Sequence, residues 1–416
     1  MTGASDTQRA HDIVLWGATG FTGALVAEYL VKRGLDGVRL ALAGRNLAKL
    51  EKVRAELSQY DPKAAELPLL VGDSHDRASL DAIARQAKVV CTTVGPYAKY
   101  GSELVAACAE HGTHYCDLTG ETQFIHRMIR AHEAQARETG ARLVNCCGFD
   151  SIPSDLGTYM LYKAFADRGG QVHRVRMFCG ETKGAASGGT IASMLNLVDE
   201  VKRDRSVLKV LGHPYSLYPE GERAGVDGSD QRGIGRDDDL GMWTAPFIMA
   251  AINAKVVRRS NALLDFAYGR DFRYDECAST GKGLSGLTRA AVTAGGMAAF
   301  LPAIAFGPTR RLLEKRLPSP GEGPDRATRE SGFFVVRLIA DGVDSGGNPL
   351  QLRGRVEGIN DPGYGETAKM LGESALCLAF DELDSPGGLR TPASAMGEPL
   401  IERLRAAGMT FRVDER

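Results

Sequence analysis

Little in this 416-residue chain pulls it toward a charged partner. Its 51 Lys and Arg oppose 52 Asp and Glu, which leaves a formal net charge of -1. That balance gives no overall drive toward nucleic acid, and no nucleic-acid partner is expected. The 8 cysteines never adopt a Cys-X-X-Cys spacing and form no metal-like cluster. That gives no sign of a zinc or disulfide framework, and no metal is expected. The polar N-terminus lacks the apolar core of a secretory signal, so a reducing cytosol with buried thiols is the expectation. Adjacent Cys146-Cys147 reads as packing. No internal repeat stands out.

Charge is missing altogether from Ala290 to Thr309. A membrane-crossing helix needs roughly 20 mainly apolar residues. This run is rich in Ala and Gly and is broken by Pro302 and Pro308, which favours a buried or interfacial segment over a span. Arg310, Arg311, Lys315 and Arg316 follow directly. They could meet anionic lipid or an acidic carrier protein, so peripheral membrane contact stays open beside the cytosolic expectation.

What the chain does have is alternation. Short apolar runs at 12–16, 38–43, 67–71, 89–94, 114–118 and 142–147 are separated by helical segments, the pattern of a parallel sheet. Six strands in this order predict a complete sheet by about residue 150. Beyond it, 172–179 reads as a strand, and Ser187-Gly188-Gly189-Thr190 opens a helix of about four turns. The segment 212–242, with Asp237-Asp238-Asp239, reads as a surface loop rather than a metal site, and the proline-bearing stretch 316–326 as an exposed connector. Segments 333–340 and 352–357 read as a hairpin with one packed face, suited to a substrate or homodimerisation domain. Helices are expected at 366–380 and 398–407.

The first strand runs into Gly17-Ala18-Thr19-Gly20-Phe21-Thr22-Gly23, and an amphipathic helix follows to Arg33. Glycines at this spacing let the backbone turn sharply and approach a pyrophosphate, while the helix start offers its N–H groups to that anion. The fold class expected is therefore α/β: an N-terminal Rossmann-like doubly wound parallel sheet, and a second α+β domain with a largely antiparallel sheet. The expected division is 1–155 for the nucleotide domain and 156–360 for the substrate domain. C-terminal helices in 361–416 are expected to pack back on the first domain.

The end of the second strand, Gly44-Arg45-Asn46, has no acid to hold a ribose 2′-hydroxyl. An arginine there suits the 2′-phosphate of NADP instead, although it could equally be a surface residue. The cofactor contacts expected are Gly17, Thr19, Gly20, Phe21, Thr22, Gly23, Arg45, Asp73, Gly95 and Pro96. Asp73 could reach the adenine end or cap a helix. Gly95-Pro96-Tyr97 lies where the nicotinamide ribose should pass. Polar clusters end the fifth strand (Tyr115 to Glu121) and the sixth (Gly148 to Asp155), where Thr119, Ser151 and Ser154 could also cap helices. A reductase needs a proton donor within hydrogen-bond reach of its substrate, and Tyr97 and Asp150 are the candidates. A nucleophilic thiol, as a semialdehyde dehydrogenase requires, would have to be Cys146 or Cys147.

Four motifs together resemble the saccharopine dehydrogenase-like family: Gly17 to Gly23, Thr93 to Tyr97, Tyr115 to Glu121 and Gly148 to Asp155. Residues 187–190, 258–262 and 391–397 extend the resemblance to nearly the whole chain, closest to the mycobacterial trans-acting enoyl reductases. The resemblance implies an NADPH-dependent reductase of an α,β-unsaturated acyl chain, carried by a polyketide synthase that lacks its own enoyl reductase. Arg258-Arg259 and Arg310-Arg311 are then candidate docking sites for an acidic carrier domain. Two other readings stand beside it. One is an NADP-binding lipid-surface or partner-binding protein without turnover. The other is a saccharopine-type oxidoreductase, for which no convergent set of cationic groups is evident.

Overall fold

The computed structural model describes residues 9–184, 188–222, 224–314 and 323–414. Ser187, Lys315, Arg316, Pro318 and Pro320 lie outside them. The alternating N-terminal segments form β1 His11–Trp16, β2 Leu40–Gly44, β3 Leu69–Val71, β4 Ala87–Thr92, β5 His114–Cys116 and β6 Arg142–Val144. They pair in parallel, in the spatial order β6-β5-β4-β1-β2-β3. β1, β2 and β4 are buried on both faces, which is why they read as unbroken apolar runs. The chain order reverses between β4 and β1, and sheets of this kind bind their ligands in the crevice beyond the carboxyl ends of the strands at that reversal.

A second sheet follows from β7 Gln171–Lys183, β8 Gly235–Asp237, β9 Met242–Ala245, β10 Arg273–Gly281, β11 Phe333–Val343 and β12 Pro349–Gly358. β7 runs parallel to β10, and the other neighbours are antiparallel. The C-terminal segment then serves both sheets. β13 Gly388–Arg390 joins β6 as a seventh parallel strand, and β14 Thr410–Asp414 pairs antiparallel with β12. The first sheet is thus not complete by residue 150, as the sequence suggested. Three residues have no periodicity to read, and β13 is fixed only by its partner.

Two helices hold the sheets together. Helix Ile152–Ala166 starts at the carboxyl end of β6 and packs on β7, β11, β12 and β14. It is buried almost all round, so it lacks the one-sided pattern that reveals a surface helix. A Cβ on its Gly157 would come within 3.0 Å of Leu338, which fixes how closely it lies on the second sheet. Helix Thr367–Phe380 is buried between helix Phe21–Arg33 and strands β4 and β5. Its Glu373 accepts hydrogen bonds from Tyr29 Oη (2.6 Å) and Arg33 Nε (2.9 Å).

The uncharged run falls in helix Gly283–Ala305 and the start of helix Gly307–Glu314. Most of it is not buried: Val292 and Phe306 are 71% and 63% exposed, while Ala290 and Ile304 pack inward. Of the two expectations for this segment, burial is overturned.

Candidate active site

The glycine turn is built by close backbone contact. Gly17 has a φ of +88°, and a Cβ there would lie 2.5 Å from Val94 Cγ2, at the end of β4. A Cβ on Gly23 would lie 2.0 Å from the Gly17 carbonyl oxygen. Helix Phe21–Arg33 can therefore approach β1 only with glycine at both positions. Gly20 precedes the helix, and no side chain caps its first N–H groups. Uncapped donors beside a turn with no room for side chains fit a bound pyrophosphate. Phe21 and Thr22 sit part-exposed on the first helical turn, and the Thr19 side chain lies against Gly44 at the end of β2.

Arg45 follows Gly44, exposed, with no hydrogen-bond or ion-pair partner among the described residues. Asn46 caps the next helix by accepting from Lys49 N (2.9 Å), so it is spoken for. The only side-chain charge offered by Gly44-Arg45-Asn46 is cationic, which fits a 2′-phosphate. Arg45→Ala is expected to weaken NADPH binding roughly tenfold or more and to leave NADH binding unchanged. Fluorescence titration with both nucleotides checks it, and equal losses would remove the assignment.

Asp73 is part-exposed and accepts from His75 N (2.9 Å), closing its own turn. The cap of the following helix is instead Asp76, which accepts from Ala78 N (3.1 Å). Gly95-Pro96 leads into a one-turn helix, Tyr97–Tyr100. Glu121, buried beyond the end of β5, accepts from Tyr97 N (2.7 Å) and Ala98 N (3.0 Å) and so fixes that turn. Ser193 Oγ donates to the same carboxylate (2.8 Å), which ties helix Gly188–Arg203 of the second region to the crevice.

The two candidate proton donors part company. Tyr97 points into the core: its ring lies 6.0 Å from that of Phe124, and its hydroxyl donates to Thr92 O (3.2 Å). Burial, with Asp117 and Glu121 nearby, pushes that hydroxyl well above its ordinary value. Its side chain holds the turn and does not reach the crevice, which corrects the donor reading. Asp150 sits between the end of β6 and helix Ile152–Ala166, part-exposed, with no partner among the described residues. Burial raises its carboxyl to about 6.

Two further residues complete this edge. Tyr364 packs edge-on against Phe21 with ring centroids 4.9 Å apart, and its hydroxyl accepts from Gly188 N (3.2 Å). The Arg329 guanidinium lies 5.5 Å over the Phe21 ring. Both come from the distal part of the chain, and sequence reasoning missed them together with Glu121 and Ser193. Glu121 ends the motif that begins at Tyr115 and was therefore findable; Ser193 and Tyr364 had no local signal.

Comparison with known proteins agrees with this geometry. Residues 13–144 match the saccharopine dehydrogenase NADP-binding domain. The chain is 44% identical over 419 residues to a provisionally named trans-acting enoyl reductase of Mycobacterium tuberculosis, covering 98% of each chain. It is 39% identical over 423 residues to a trans-acting enoyl reductase of Mycobacterium bovis, again covering 98% of each. The chain belongs to the saccharopine dehydrogenase-like family, among the trans-acting enoyl reductases. It is an NADP-dependent oxidoreductase. Saccharopine dehydrogenase of Saccharomyces cerevisiae shares the fold, with a TM-score of 0.53 at 12% identity over 97% of this chain and 99% of that one.

The remaining candidates in this reductase resolve into structure. Arg258 and Arg259 are buried, paired with Asp227 (2.9 Å) and Glu133 (3.4 Å), and also donate to backbone carbonyls. They lock helix Ala250–Leu263 in place and are not a docking site. Their side chains point inward because that helix is covered on nearly every side. Arg310 pairs with Asp199. Asp237 and Asp239 pair with Arg176, and among the described residues no metal-ligand arrangement forms there. Burial pushes the Cys146 and Cys147 thiols well up, so neither is a thiolate nucleophile.

Behind Asp150 lies a buried polar chain. Ser151 Oγ donates to Asn253 Oδ1 (2.8 Å) instead of capping its helix, and Asn253 Nδ2 donates to Glu276 (2.7 Å). Thr119 accepts from Glu121 N (3.1 Å) in a local turn ahead of helix Thr122–Thr139, whose first N–H groups no side chain caps, which corrects its capping reading. Asp117 ties the ends of β5 and β6 together by accepting from Tyr115 Oη and Asn145 Nδ2, both at 2.8 Å, and from Thr119 N and Cys146 N, both at 3.1 Å.

Proposed function

We propose that this reductase saturates the α,β double bond of an acyl thioester held on the carrier domain of a separate synthase, in lipid or polyketide assembly. The trans-acting enoyl reductase name of its relatives supports that substrate class. NADPH, when bound, supplies the hydride that such a reduction requires. The chain itself has to hold the nucleotide and deliver a proton.

The observation that carries the reading is Asp150. A carboxyl beyond the end of β6, without a partner among the described residues and raised to about 6, keeps about a tenth of its population protonated at pH 7, far more than an ordinary aspartate. In this reading Asp150 gives that proton to the α-carbon as the thioester enolate collapses. Ser151, tied to Asn253 and Glu276, keeps the start of the helix beside Asp150 rigid.

The test offers the purified protein NADPH and a trans-2-enoyl chain, either as a pantetheine thioester or loaded on a carrier domain. NADPH consumption should accompany a gain of two hydrogens in the acyl chain by mass spectrometry, faster with the loaded carrier. Tight NADPH binding with no consumption on any enoyl thioester would overturn the proposal.

A further inference from the structure

Helix Gly283–Ala305 has two unlike faces. One packs through Gly286, Ala290 and Ile304 against the protein, lying on β9 and β10 and on helix Gly188–Arg203. The other faces water with Leu284, Ala291, Val292, Ala298 and Pro302, and Phe306 continues it beyond the helix end. At 100° per residue these positions fall within one face of the helix, and at 1.5 Å per residue the face is about 35 Å long. By length and composition the helix could cross a membrane, but Gly286, Ala290 and Ile304 pack on the protein, an arrangement that suits a helix lying along a surface.

The charges within this stretch have one sign, and Asp199 of helix Gly188–Arg203 neutralises one of them, Arg310. From Gly281 to Arg311 the chain carries Lys282, Arg289, Arg310 and Arg311 and no acid. Lys282 and Arg289 are exposed near the start of the face, and Arg311 is exposed beyond its end. Lys202 and Arg203 add exposed cations beside that end, where Lys202 Nζ donates to Ala305 O (2.9 Å). Pairing with a second copy would set these cationic ends against one another, whether the two helices ran parallel or antiparallel. An apolar strip bordered by cations at both ends instead complements an anionic lipid surface, with the side chains in the acyl boundary and the cations among the headgroups.

We infer that helix Gly283–Ala305 docks this reductase peripherally on an anionic lipid bilayer. The inference stands apart from the substrate proposal, because it uses no residue of the crevice.

Flotation of the full-length protein with vesicles tests it. Wild type should rise with vesicles containing phosphatidylglycerol, and much less with pure phosphatidylcholine. The variant Val292→Glu/Phe306→Glu should lose at least about tenfold in partitioning, and Arg289→Ala about fivefold on the anionic vesicles alone. Both variants should bind NADPH as wild type does, which shows that they are folded. The inference is overturned if wild type ignores anionic vesicles, or if the Val292→Glu/Phe306→Glu protein floats unchanged. It is also overturned if wild type is a dimer that this double substitution splits, which would give the face to a second copy.

Discussion

Asp150→Asn should lower turnover by between about 10²- and 10⁴-fold, the usual contribution of a positioned general acid, while NADPH binds as before. The amide keeps the shape of the carboxyl and cannot give up a proton, so the loss should fall on kcat. The pH profile separates this role from a structural one. A donor must be protonated, and burial sets the Asp150 carboxyl at about 6. Turnover should be flat below that pH and fall about tenfold per unit above it. The Asp150→Asn substitution should abolish that descending limb, and Asp150→Glu should keep part of the rate. Full turnover in the amide variant would move the proton to another group or to water. The carboxylate form would be the wrong one for this task, so a rate that climbs with pH through 6 would equally remove Asp150 as the acid.

The second large effect belongs to the glycine turn. Gly23→Ala places a methyl group 2.0 Å from the Gly17 carbonyl oxygen and 2.9 Å from Thr93 Oγ1. Backbone cannot yield as a flexible side chain can, so helix Phe21–Arg33 must move off β1. Overpacking of that kind costs about 1–3 kcal/mol. Applied to the pyrophosphate cradle, it corresponds to a loss of roughly 5- to 150-fold in NADPH affinity. Gly20→Ala is the internal comparison, since its Cβ would meet the same oxygen only at 3.4 Å. Titration by nucleotide fluorescence, beside a thermal melt, should therefore show a marked loss for Gly23→Ala and a mild one for Gly20→Ala. Similar affinities for the two variants would mean that the close approach of helix to strand is not what holds the nucleotide.

These effects differ in how far the chain announces them. The glycine spacing is legible because tight turns admit few residue types, and Arg45 because its place after β2 follows from the strand pattern. Motif and strand-end position single out Asp150, yet they single out Tyr97 equally. Both lie just beyond strand ends, and which way each side chain points depends on what packs against it. Phe124 and the Thr92 carbonyl draw Tyr97 inward, whereas nothing in the described structure engages the Asp150 carboxyl. The arginine pair at 258–259 misled for a related reason. Two adjacent cations read as a solvated patch until Asp227 and Glu133, from distant segments, are seen to neutralise them in the interior.

By itself, the sequence determined the parallel first sheet, the nucleotide turn at Gly17 to Gly23 and the preference for NADP, because each rests on local periodicity or on a residue type that the backbone requires. Only the tertiary structure decided that β13 completes the first sheet, that Glu121 joins Ser193 to the turn at Tyr97 while Tyr364 packs on Phe21, and that much of the apolar helix faces water. Those outcomes join segments far apart in the chain, and no local pattern encodes which partner a buried carboxylate or an apolar face will meet.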